Sequence, residues 1–114
     1  PSVKLGKFTK LGKGCVVFPN CIVSTNAEIG ECVSINSGSQ IGHDVKIGAY
    51  SSLMPHVDLG GHVSVGENVL IGTKSTVIPG RRIVNDVIVG IGSVVIRHIK
   101  KPCTVLGNPA KIFT

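Results

Sequence analysis

An aliphatic residue returns every six positions along almost the whole chain. Stepping by six from Leu5 gives Leu11, Val17, Val23, Ile29, Ile35, Ile41, Ile47, Leu53, Leu59, Val65, Ile71, Val77, Ile83, Val89 and Val95, sixteen positions without a break. With 42% hydrophobic residues, about seven of sixteen would be apolar by chance, so the register is a structural repeat. One residue after the aliphatic, nine of the sixteen places hold Gly, and three after it Gly, Asn and Asp predominate. Both columns therefore suit positive φ, and a corner is expected in every hexad. Four after it stand small or β-branched residues such as Thr9, Cys15, Cys21, Ala27, Val33, Ser39 and Val45. Strand alternation turns that column and the next aliphatic inward and the residue between them outward, which makes Cys15 and Cys21 core filler.

A short strand and a corner every six residues describe a coil with flat sides. Three hexads per turn would give a triangular prism of 18 residues per coil, with strands of successive coils parallel and about 4.8 Å apart. Sixteen hexads then make a little over five coils. The period by itself fixes neither three sides nor the hand of the coil.

Composition agrees with an all-β chain. Thirty Val and Ile stand against nine Leu and Ala, and β-branched side chains suit pleated strands better than helices. At 114 residues there is room for one compact domain. No apolar run exceeds the four residues from Cys15 to Phe18, far below the roughly 20 of a membrane span, and no signal pattern opens the chain, so a soluble, cytoplasmic protein is expected. The net charge of +6 attracts anions, but with 4% aromatics the stacking surfaces of nucleic-acid binders are missing, and a phosphate-bearing small molecule fits better. The four cysteines form no C-x-x-C pair, so they read as reduced thiols with no metal role.

The hexads Ile41-Gly-His-Asp-Val-Lys, Ile47-Gly-Ala-Tyr-Ser-Ser, Val65-Gly-Glu-Asn-Val-Leu and Ile71-Gly-Thr-Lys-Ser-Thr resemble those of the hexapeptide-repeat acyltransferases. The ordered set Asn36-Ser-Gly, Gly42-His43-Asp44, Leu59-Gly60-Gly61, Val77-Ile-Pro79-Gly80 and Leu106-Gly107-Asn108-Pro109-Ala110-Lys111 is similar to the sialic acid O-acetyltransferase and bacillosamine-pathway N-acetyltransferase group. The resemblance implies a left-handed parallel β-helix over residues 1–100, with 101–114 as a C-terminal capping segment. It also implies a homotrimer that moves an acetyl group from acetyl-CoA to an amine or hydroxyl of a sugar or nucleotide-sugar. On it, His43 matches the general base, Asp44 the acidic neighbour that raises its basicity, and Gly61 the glycine whose backbone N–H faces the thioester oxygen. Gly60, Gly61, Ser52, Thr73 and Ile91 match cofactor-contacting positions, Ser52 standing where relatives often carry a second His. Asn36 and Ser37 match the acceptor side. His56, His62 and His98 lie outside the pattern and read as surface residues, although His62, nineteen residues from His43, is spaced to lie close to the site.

Two features depart from the pattern. Relatives usually carry a nucleotide-sugar-binding domain before the helix, whereas this chain enters the repeat by Leu5; either that domain has been removed or the acceptor is recognised differently. Arg81 occupies an inward column, so the coil is expected to bulge near Pro79-Gly80 or Arg81 to turn outward. The uncharged outward column Val16, Ser34, Ser52, Leu70, Ile88 is the candidate subunit contact. On the same fold the alternatives are a non-catalytic scaffold and a γ-type carbonic anhydrase, whose zinc-binding spacing is not matched by His separations of 13, 6 and 36 residues.

Overall fold

A computed structural model describes residues 3–114. Sixteen two-residue strands, β1 (Lys4–Leu5) to β16 (Val94–Val95), recur once per hexad, each ending on the aliphatic residue, and β17 (Thr104–Leu106) and β18 (Lys111–Ile112) follow. No helix occurs among the described residues. From β1 to β16 every third strand pairs in parallel, so the strands sort into three sheets: β1-β4-β7-β10-β13-β16, then β14-β11-β8-β5-β2, and β18-β17-β15-β12-β9-β6-β3. The register is 18 residues per coil, as in Lys46↔Ser64 and Ile47↔Val65. The molecule measures 38 × 21 × 20 Å, and the three sheets are called A, B and C below in the order given.

The interior is the repeat itself. All thirteen aliphatics from Val23 to Val95 are buried, and so are most residues two positions before them. Leu5 and Leu11 are exposed because the first coil has no described coil beneath it. Buried serines replace valine in the inward column without leaving a polar atom unmatched. Ser51 Oγ donates to the Gly66 carbonyl at 2.7 Å and accepts the Val69 N–H at 3.1 Å, which ties one coil to the next.

The two glycine-rich columns have different jobs. Left-handed φ falls in the third position after the aliphatic, at Asn26, Asp44, His62, Asn68 and Asp86 among others. The column directly after the aliphatic does not use positive φ; its glycines make room for the neighbouring coil. A Cβ on Gly42 would lie 2.6 Å from the Gly61 nitrogen, and one on Gly30 would lie 2.7 Å from the Ala49 nitrogen.

Arg81 causes no bulge. The Ser64↔Arg82 and Val65↔Ile83 pairing holds its register, and Arg81 takes the outward alternative, its guanidinium donating from Nε to the Ile96 carbonyl at 2.9 Å at the exposed rim. Two residues drop out of the repeat after Val95: Ile83 bridges Ile99 and Ile88 pairs with Thr104, each 16 residues on. Ile99 and Val105, six apart, then continue the core, and β18 turns back antiparallel on β17 at the end of sheet C.

Candidate active site

Each coil turns between sheet A and sheet B through a two-residue corner, and these corners stack into one edge: Thr25-Asn26, His43-Asp44, Gly61-His62, Pro79-Gly80. The second residue of each has positive φ, from 57° at Asp44 to 78° at Gly80. Its N–H donates to the carbonyl of the corner one coil below, Asp44 to Thr25 at 3.0 Å, His62 to His43 at 2.9 Å and Gly80 to Gly61 at 2.9 Å. That ladder fixes the edge and sets His43 directly beneath Gly61.

The His43 imidazole lies across the bare face of Gly61. A Cβ there would stand 2.5 Å from His43 Nε2 and 2.9 Å from Cδ2 and Cε1, so only glycine leaves the ring its place. The φ of Gly61 is not in the left-handed range; space, and not backbone freedom, requires the glycine. The Gly61 N–H makes no hydrogen bond among the described residues. On the other side of the ring, Nδ1 lies 3.0 Å from Asp44 Oδ2. A carboxylate only accepts, so the neutral imidazole keeps its proton on Nδ1 and presents the Nε2 lone pair to Gly61. The hydrogen bond from His43 holds the Asp44 carboxyl below the usual carboxylate range, with nearby His62 adding to the effect.

His62 belongs to this cluster. Its ring meets that of His43 edge to face at 4.9 Å between centroids, and its Nε2 lies 3.9 Å from Asp44 Oδ2. The signal was available in the sequence: His62 is 18 residues from Asp44, one coil above the carboxylate and not above His43. A shallow groove of about 520 Å³ runs beside the cluster over sheet B, lined by Phe8, Lys10, Asn26, Glu28, Lys46 and His62 among others.

The remaining candidates lie elsewhere on the prism. Gly60 is on the same edge, packed under Pro79. Ser37, Thr73 and Ile91 stand on the edge between sheets C and A, where the Asn36 side chain accepts the Ser37 N–H at 2.8 Å. Ser52 lies on the outer surface of sheet C, half-buried. Sheet A separates that edge from His43 within one chain.

Residues 38–73 match the bacterial transferase hexapeptide (six repeats) model. That segment of the chain carries the six hexapeptide repeats of the family model. Comparison with curated proteins returns no match. Among solved structures, the chain superposes on PerB from Caulobacter crescentus, in complex with CoA and GDP-perosamine, with a TM-score of 0.98 and 38% identity, over 100% of this chain and 55% of that one. It is similar to WeeI from Acinetobacter baumannii AYE at 30% identity and a TM-score of 0.91, over 98% of this chain. The acetyltransferase domain of PglB from Neisseria gonorrhoeae FA1090 matches at 27% identity and a TM-score of 0.97, over 99% of this chain. The chain spans 55% of the length of each of the latter two as well. The fold shared with these structures is the left-handed parallel β-helix, here a prism of about six turns.

Proposed function

We propose that this β-helix moves an acetyl group from acetyl-CoA to a sugar or nucleotide-sugar, with the amine of a nucleotide-linked amino sugar as the favoured acceptor. The observation that carries the reading is His43, seated against Gly61 with Nδ1 on Asp44 and its Nε2 lone pair free. Support for the donor and acceptor classes comes from PerB, 38% identical and bound to CoA and GDP-perosamine.

The chemistry follows from the atoms. As the acceptor nitrogen or oxygen attacks the thioester carbon, Nε2 of His43 takes its proton, and Asp44 stabilises the imidazolium that forms. The carbonyl oxygen gains charge as the new bond to carbon forms, and the unpaired Gly61 N–H is the donor we assign to it. Collapse breaks the carbon–sulfur bond, the imidazolium returns the proton to the sulfur, and an acetylated sugar and CoA leave. No atom is left over.

Donor contacts at Ser52, Gly60, Thr73 and Ile91 require two edges of the prism. We therefore infer that the donor lies between two copies of the chain in a homotrimer, the second copy supplying the edge with Thr73 and Ile91, and Asn36 and Ser37 facing the acceptor. The exposed column Val16, Leu70 and Ile88 on sheet C is the apolar surface suited to that contact. The reaction is assigned to the cytoplasm, with no nucleic acid, membrane or resident metal as partner. Thiol release from acetyl-CoA, measured across nucleotide-linked amino sugars and their hydroxyl counterparts, tests the reading. Acceptor-dependent release with an amino sugar is expected; release that no sugar stimulates would return the chain to a scaffold role.

A further inference from the structure

We propose that His43, Asp44 and His62 form an inhibitory site for a divalent transition metal, zinc being the ion their donors fit. Asp44 Oδ2 is 3.0 Å from His43 Nδ1 and 3.9 Å from His62 Nε2, and one donor atom from each residue lies within 4.8 Å of the others. Zinc bonds of 2.0–2.2 Å in a tetrahedron need donors about 3.3–3.5 Å apart. The two distances to the carboxylate bracket that spacing, so a modest rotation of side chains on a fixed backbone brings all three onto one ion. The backbone is fixed because Asp44 and His62 occupy stacked left-handed corners joined through the His62 N–H to His43 carbonyl bond.

The two imidazoles are borderline donors, and beside a single carboxylate they favour zinc over magnesium or calcium. The His62 side chain makes no hydrogen bond among the described residues, so its ring is available. The side chains of His43, Asp44 and His62 are 60%, 40% and 66% exposed, which leaves the fourth position to water and the ion free to exchange.

Occupation would silence the base. A neutral imidazole carries one N–H; coordination through Nδ1 moves that proton to Nε2, and Nε2 then faces Gly61 with no lone pair to accept another. This consequence rests on the reading of His43 as general base, whereas the metal site does not.

Calorimetric titration of the untagged full chain with zinc sulfate, without donor or acceptor, measures the site by itself. One zinc per chain is expected. His62→Asn, which copies the Asn26 corner one coil below Asp44, should weaken it about 10-fold or more while the melting temperature holds. Cys32→Ser, removing the exposed thiol, should leave it unchanged. Equal zinc affinity in His62→Asn and wild type, or loss of binding in Cys32→Ser, would overturn the site. In the acetyl-transfer assay, zinc should inhibit reversibly, with chelator restoring the rate. Zinc bound through His62 with transfer unaffected would overturn the inhibition and count against His43 as base, but not against the ligands.

Discussion

At the scale of single residues, the His43 ring is held between two neighbours that do different things, and substitutions separate them. Asp44 accepts from His43 Nδ1, the pairing that holds its own carboxyl below the usual carboxylate range. Asp44→Asn exchanges that carboxylate for a neutral amide, so acetyl transfer should fall, by less than on removal of His43, while acetyl-CoA affinity holds. Wild-type transfer in Asp44→Asn would contradict the pairing. Gly61→Ala places a methyl 2.5 Å from Nε2 at a position whose backbone accepts alanine, so transfer should fall about 100-fold while thermal unfolding changes little. The proximity of His43, Asp44 and Gly61 was legible because the motif and the 18-residue spacing coincide. His62 was legible only as a neighbour of the site, because its 18-residue spacing is to the carboxylate and no motif contains it. Gly61 itself carries no left-handed strain, because the left-handed residue of that corner is His62.

At the scale of the coil, the two glycine columns predict two kinds of damage. Gly42→Ala would drive a methyl to 2.6 Å from the backbone of the next coil, where neither partner can yield, and should cost about 3 kcal/mol or more in urea unfolding. Gly80→Ala meets nothing within 4 Å and suffers only its φ of 78°, for about 1–2 kcal/mol. A reversed ranking would mean that corner conformation, and not coil spacing, limits the fold. The prism was legible because one column of aliphatics must turn inward once per side. Its end was less so, since the two-residue slip after Val95 hides Ile99 and Val105 from a six-step count although they are themselves six apart. Arg81 looked disruptive because a residue pattern omits the carbonyls at the coil's rim, and one of these, from Ile96, accepts from the guanidinium.

At the scale of the molecule, the cofactor-matching residues lie on two edges that one copy cannot bring together, so activity and assembly should fail together. Ile88 is 46% exposed on sheet C and touches neither His43 nor its neighbours. Ile88→Asp should yield a folded monomer by light scattering and abolish acetyl transfer; a fully active monomer would refute the shared site. The role of His43 is tested most directly by comparing rate and binding in His43→Ala. Acetyl transfer to the natural acceptor should fall about 100-fold or more, with acetyl-CoA affinity by calorimetry nearly unchanged, because proton removal belongs to the transition state. Wild-type transfer by a well-folded His43→Ala protein would contradict the assignment.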